Sequence, residues 1–312
     1  MTDLNLALGA MYFGTRVDEA TSFTLLDRFV DAGGSIVDTA DCYAFWSDPS
    51  GAGGQSESVI GRWLARQPSR RESVYLSTKT GAEPVPGKDR REGLAAVRVR
   101  AGIEASLRRL GTDRVDIYWA HLEDREVVLD EVVETFVELA DDGRAIRLGM
   151  SNHPAWRVER ARQIAAGSGS TPFSAMQLSF SYVQPRPLAP VEGQDHRFGM
   201  ATAEALDYVV ANPDMWMWAY SPLLRGSYAR PDRPFAEAYD HPGTTRRLAV
   251  LGEVAEEIGV TRNQVVLAWL VGGQPPITPI VGVSSVDQLD EAMAGASIVL
   301  TDDQRQRLDA AV

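Results

Sequence analysis

The sequence predicts an α/β chain folded as a (β/α)₈ barrel of the TIM type, one domain over residues 1–312. Three observations carry this. Short apolar runs rich in β-formers alternate with helical patterns, strand then helix, eight times over. The length of 312 residues accommodates eight such units around one core. The glycine-rich turn that marks an open, doubly wound nucleotide-binding sheet is missing. Gly167-Ser168-Gly169 begins that pattern, but Pro172 stands where its third glycine belongs. A phosphate loop fails too, because Gly87-Lys88 is followed by Asp89 rather than Ser or Thr.

The predicted strands cover residues 4–8, 35–38, 74–79, 115–119, 146–150, 175–178, 215–219 and 278–281. Helical patterns cover 18–32, 57–65, 94–110, 126–142, 156–166, 201–211, 246–258 and 262–271, and then 286–294 and 302–310. Gly33 and Gly34 stop the first helix. In 94–110, Val97, Ile103 and Leu107 fall near one face, and Gly111 is the C-terminal stop. Gly143 ends the fourth helix. Thr261 precedes 262–271 as an N-cap, and Thr301 precedes Asp302 and Asp303, whose charges suit a helix N-terminus. Four long loops, 42–54, 82–93, 179–198 and 222–245, each follow a strand. They therefore gather on the C-terminal face of the barrel, and loops of this length are more often functional than idle.

Lys plus Arg is 31 and Asp plus Glu is 43, a net charge of −12. No dense basic patch stands against that background, so nucleic acid is not an expected partner. The single cysteine, Cys42, excludes intramolecular disulfides and cysteine-rich metal sites. No metal site is predicted. Residues 1–9 lack a basic flank followed by a long apolar core, and no apolar run reaches the length of a membrane span. The expected setting is cytoplasmic, with no membrane partner.

The chemistry in the sequence is positional. Predicted strands end in Asp38, Lys79 and His121, in Ser151-Asn152, near Gln177, and in Tyr220-Ser221. Singly, each has an ordinary reading: a turn aspartate, a solvated lysine, a structural histidine, a rim aromatic. Together they put a carboxylate, an ammonium, an imidazole, amides and phenols on one rim, where such barrels keep their active sites.

These residues carry a resemblance. Asp38-Thr39-Ala40-Asp41-Cys42-Tyr43 and Leu8-Gly9-Ala10-Met11-Tyr12-Phe13-Gly14 resemble segments of the aldo-keto reductases. So do Ser56-Glu57, Ile60-Gly61, Ser77-Thr78-Lys79, Asp116-Ile117-Tyr118 before His121, Gly143 through Asn152, Tyr220-Ser221-Pro222-Leu223, and Gly282 with Ser284-Ser285. The match follows family order along nearly the whole chain.

The resemblance implies a nicotinamide cofactor held on the barrel, NADP(H) first and NAD(H) as the alternative, and a small carbonyl substrate. It implies a catalytic tetrad of Asp38, Tyr43, Lys79 and His121. Tyr43 would protonate the carbonyl oxygen, Lys79 would lower the phenol pKa, Asp38 would hold Lys79, and His121 would orient the carbonyl. Ser151, Asn152 and Gln177 would hold the carboxamide, and Tyr220 would stack on the nicotinamide. Ser221, Leu223 and Gly226 would follow the pyrophosphate. Gly282, Ser284 and Gln288 would approach the adenosine ribose, with Glu291 near the adenine. A phosphate would sit at the N-terminus of the helix that begins near Val286. Phe45, Trp46, Trp119, Tyr182 and His196 lie in segments that could wall the substrate pocket.

The match departs from the family after the last strand. Val283-Ser284-Ser285-Val286-Asp287-Gln288 contains no cation for a 2′-phosphate, and Glu291 is followed by Ala292 where the family has Asn. Arg225, Arg230 and Arg233 are the charges at hand in the long loop. The leading reading is an NAD(P)H-dependent reductase of an aldehyde or ketone, sugar-derived ones included. Two rivals stand beside it. One is an NAD-dependent sugar or alcohol dehydrogenase running in the oxidative direction. The other is a cofactor-binding regulatory subunit similar to potassium-channel β subunits.

Overall fold

Parallel strands follow one another around a closed barrel in chain order. They are β1 (Ala7–Gly9), β2 (Ile36–Asp38), β3 (Tyr75–Thr80), β4 (Val115–Ala120), β5 (Ala145–Ser151), β6 (Phe173–Ser179), β7 (Trp216–Tyr220) and β8 (Ile277–Gly282). The circle closes where Ala7, Leu8 and Gly9 pair with Ile280, Val281 and Gly282. Each predicted strand is present, with ends moved by a few residues. The computed structural model describes residues 4–170, 172–191, 196 and 198–311. Residues 192–195 and 197 of the predicted loop 179–198, and residues 1–3, lie outside the described residues.

The helices are α1 (Glu19–Asp31), α2 (Gln55–Arg66), α3 (Ala96–Leu110), α4 (Leu129–Asp141), α5 (Ala155–Gly167), α6 (Ala203–Ala211), α7 (Pro242–Ile258), α8 (Arg262–Val271), α9 (Val286–Ala296) and α10 (Asp302–Ala310). Both α7 and α8 lie between β7 and β8. Their ends obey local chemistry. Asp18 caps α1 through the Thr21 amide. Thr261 and Thr301 form capping boxes with Gln264 and Gln304. Gly111 closes α3 in the left-handed conformation, φ 66°. The predicted face of α3 needs correction. Val97 is 71% exposed, and the buried row is Val99, Ile103, Ser106 and Leu110. Helix α7 starts earlier than the apolar pattern implied, because Pro242 at its first turn needs no amide partner.

Two apolar layers hold the fold. The outer one packs strands against helices. The inner one fills the barrel with Ala7, Ile36, Ile117, Trp119, Ala175, Trp218 and Ile280. Gly149 on β5 makes room for this filling, since a Cβ there would lie 2.3 Å from the Trp119 ring. Gly61 does the same outside, where a Cβ would meet the Arg109 carbonyl oxygen at 2.0 Å and force α2 from α3. Ser56 and Glu57 prove to be fasteners. Ser56 donates to the Ala10 carbonyl at 2.7 Å, while Glu57, fully buried, accepts from Thr78 at 2.5 Å and Arg109 at 2.7 Å. Among the described residues, no helix is long and apolar enough to cross a membrane.

Candidate active site

Strand register assembles the site. Asp38, the last residue of β2, lies opposite Ser77 of β3, and Lys79 lies opposite Trp119 of β4. Side chains two apart on a strand share a face, so Ser77 and Lys79 point the same way. His121 follows immediately on the end of β4. Lys79 is fully buried, and its ammonium uses all three donors: Asp38 Oδ2 at 2.6 Å, the Thr39 carbonyl at 2.7 Å and Tyr43 Oη at 3.1 Å. The other Asp38 oxygen accepts from Ser77 at 2.7 Å, and Ser77 accepts from Trp119 Nε1 at 2.8 Å. A continuous polar chain thus rises from the barrel floor to the phenol. Because Tyr43 Oη accepts from Lys79, its own proton is free to point elsewhere.

Burial sets the protonation states. It pushes the Tyr43 hydroxyl well above 10, with the Asp38 charge adding to it. Lys79, donating to the phenol oxygen at 3.1 Å, acts in the opposite sense by favouring the phenolate, and burial outweighs it. Asp38 sits closer to the ammonium than Tyr43 does and offsets its field. His121 is held well below 6.5 by burial and then by the Lys79 and Arg91 charges, so the ring is neutral. Its Nδ1 lies 3.7 Å from Cys42 Sγ, and burial keeps that thiol protonated. The neutral ring carries one proton, on Nε2 where Nδ1 accepts from the thiol and on Nδ1 where it donates to the sulfur.

A second group adjoins the first through His121. Asn152, in the left-handed region at φ 59°, donates to the His121 carbonyl at 2.9 Å and to Ser151 Oγ at 3.1 Å. Its carboxamide oxygen accepts from the Tyr220 hydroxyl at 2.8 Å. Gln177 pairs with Ser151 in register. Gln177 is buried, and its Nε2 has no hydrogen-bond partner among the described residues.

The remaining predicted residues are spread along two more segments. Ser221 (φ 55°) follows β7, and Leu223 precedes the short 3₁₀ turn Leu224–Gly226, which Gly226 ends. Gly282 ends β8. Ser284 and Gln288 bond to each other, the Ser284 amide donating to Gln288 Oε1 at 2.8 Å. Ser285 caps α9, so the helix N-terminus expected to take a phosphate already has a side chain on it. Glu291 accepts from the Thr261 hydroxyl at 2.6 Å and ties α9 to α8.

Of the predicted pocket residues, Phe45 and Trp46 lie in the loop after β2, close to Tyr43. Trp46 is 40% exposed and lies edge-on to Phe45 and Tyr12, with Tyr43 at 6.3 Å between ring centres. Trp119 and Tyr182 need correction. Trp119 is wholly buried in the barrel, against Trp218 and bonded to Ser77. Tyr182 is wholly buried beside Trp269, its hydroxyl donating to the Leu308 carbonyl. Both are packing residues. His196 lies 3.6 Å from the Glu123 carboxylate, which also meets Arg125 and Arg157.

A family model described as the aldo/keto reductase family matches residues 5–312. The chain belongs to the aldo/keto reductase family. It is therefore an oxidoreductase by family, with a small carbonyl compound as the class of substrate. Norsolorinic acid reductase stcV of Emericella nidulans is 31% identical, over 96% of this chain and 76% of the relative. The oxidoreductase YrpG of Bacillus subtilis is 28% identical over 95% and 88%. An aryl-alcohol dehydrogenase [NADP(+)] of Phanerodontia chrysosporium is 29% identical over 97% and 81%.

Against the family's tetrad, this chain's site includes more than sequence reasoning singled out. Ser77 and the Thr39 carbonyl complete the cradle around Asp38 and Lys79. The strand period could have found Ser77, two residues before Lys79. No residue-level signal marks a backbone carbonyl.

Proposed function

We propose that this chain reduces an aromatic aldehyde or ketone to its alcohol with NADPH, with Tyr43 as the proton donor. The observation that carries this is the buried chain Asp38–Lys79–Tyr43, whose terminal hydroxyl keeps its proton and has its lone pair taken by Lys79. The cofactor fits the residues present. The buried, unpartnered Gln177 amide beside Ser151 and Asn152 suits a carboxamide, and Tyr220 stands next to them. A bound reduced nicotinamide supplies the hydride.

Tyr43 gives its proton to the substrate oxygen as negative charge develops there, and a high phenol pKa is no obstacle against so basic an acceptor. The Lys79 ammonium then stabilises the phenolate left behind. Neutral His121, in the tautomer with its proton on Nε2, donates to the same oxygen and holds the carbonyl in place. The aromatic cluster of Tyr12, Phe45 and Trp46 beside Tyr43 supports a flat aromatic substrate, as do the names of the relatives.

The test is turnover of a panel of aryl aldehydes, aryl ketones and sugar aldehydes by wild type and Tyr43→Phe. The expected result is preference for the aryl compounds and a loss in kcat of roughly 10²–10⁴-fold in the variant. NADPH affinity should stay at the wild-type value. A variant within about threefold of wild type, with chemistry rate-limiting, would overturn the assignment.

A further inference from the structure

The β8–α9 turn offers a ribose phosphate little. From Gly282 to Gln288 it carries no cation, Asp287 is exposed there, and Ser284, Ser285 and Gln288 already satisfy one another. Cations stand elsewhere. A cavity of about 370 Å³ is lined by Ser227, Tyr228, Ala229, Arg230, Pro231 and Arg262. It directly follows Gly226, the end of the segment expected along the pyrophosphate. Arg262 adjoins Thr261, whose hydroxyl donates to Glu291, the residue expected near the adenine. The cavity thus begins where one of these segments ends, and Arg262 in its lining adjoins along the chain the cap residue that holds Glu291 of the other.

The wall of this cavity is preformed. Tyr228 is buried, and its hydroxyl accepts from the Val183 amide at 2.9 Å and lies 2.7 Å from Ser181 Oγ. The Arg262 guanidinium carries no ion pair among the described residues and lies against Gly252. A Cβ at Gly252 would sit 2.8 Å from Arg262 Nη2. An alanine there would push the guanidinium aside, because the mobile end of the Arg262 side chain is what it meets. Arg230 is paired with Asp232, but both side chains are about half exposed, and such a pair yields readily to a dianion.

We propose that Arg262, assisted by Arg230, binds the 2′-phosphate of the cofactor's adenosine and thereby confers preference for NADP(H). This rests on the nicotinamide-cofactor reading above. The experiment is calorimetric titration of wild type, Arg262→Ala and Gly252→Ala with NADPH, NADH, 2′,5′-ADP and 5′-ADP. Melting of each protein without ligand serves as the folding control.

For Arg262→Ala, NADPH and 2′,5′-ADP should weaken by about 10- to 100-fold, the range of a charge-assisted hydrogen bond. NADH and 5′-ADP should bind as to wild type. Gly252→Ala, which displaces the guanidinium, should show a smaller loss of the same selectivity. An unchanged NADPH-to-NADH affinity ratio in Arg262→Ala, with wild type binding NADPH, would overturn this inference alone. Failure of wild type to bind either dinucleotide would overturn the cofactor reading itself.

Discussion

Lys79 and Asp38 are both almost wholly inside the protein, with side-chain exposures of 0% and 2%. Breaking such a pair from one side leaves a buried charge, which costs about 3–5 kcal/mol. Lys79→Met should lower the unfolding free energy by that amount in urea titrations, and the Asp38→Asn/Lys79→Met double variant should recover much of it. His153 gives the pH-dependent counterpart. It is buried with Nδ1 at 2.7 Å from the Ser151 carbonyl, and burial pushes its pKa down to about 3. Below about pH 6.5 the unfolded chain binds a proton that the folded His153 refuses. Its contribution to stability is therefore full above that pH and is lost as pH falls toward 3. Relative to His153→Gln, wild type should lose about 2 kcal/mol between about pH 7 and pH 5. Because His121 is held neutral in the same direction, only the difference between the two proteins isolates His153. The sequence showed Lys79 and Asp38 as candidates. Nothing local in the sequence marks His153, because no residue near it says that the chain after β5 turns inward.

At the scale of elements, the legible features were those written within a few residues. Thr261, Thr301 and Gly111 mark helix ends by chemistry confined to one turn, and each does so in the structure. The misreadings involve packing between elements. Val97 and Val99 are equally apolar, and only the placement of α3 on the barrel decides that Val99 is the buried one. Trp119 and Tyr182 looked like pocket aromatics because they stand at or beyond strand ends, yet one fills the barrel and the other docks under Trp269. The fit of Trp119 against Gly149 makes a prediction. Gly149→Ala adds a methyl where the indole already sits, and overpacking of this kind costs about 1–3 kcal/mol. Thermal denaturation should show the loss. The melting curve should also lose cooperativity if Trp119 is displaced, since its indole supports Ser77 and through it Asp38.

The whole molecule carries a net charge of −12, and the cofactor proposed for it is itself an anion. Binding then depends on local cations and fixed dipoles against an unfavourable mean field, so higher salt should weaken the repulsion and the Arg262 contact together. A dinucleotide that binds only the folded chain stabilises it by about 2.7 kcal/mol at a hundred times its Kd. NADPH should raise the melting temperature by more than the same concentration of NADH, and no shift with either would count against the cofactor assignment. The sequence alone determined the alternation of strands and helices, the closure into a barrel, and the rim on which the polar strand ends meet. Those follow from periodicity, chain length and the handedness of βαβ connections, all of which are local or topological rules. Only the tertiary structure decided the protonation of Tyr43 and His121, the burial of Trp119 and Tyr182, the capped N-terminus of α9, and the arginine-lined cavity beside Tyr228. Burial, charge neutralisation and the free volume between elements depend on residues distant in the chain, and no pattern along the chain specifies them.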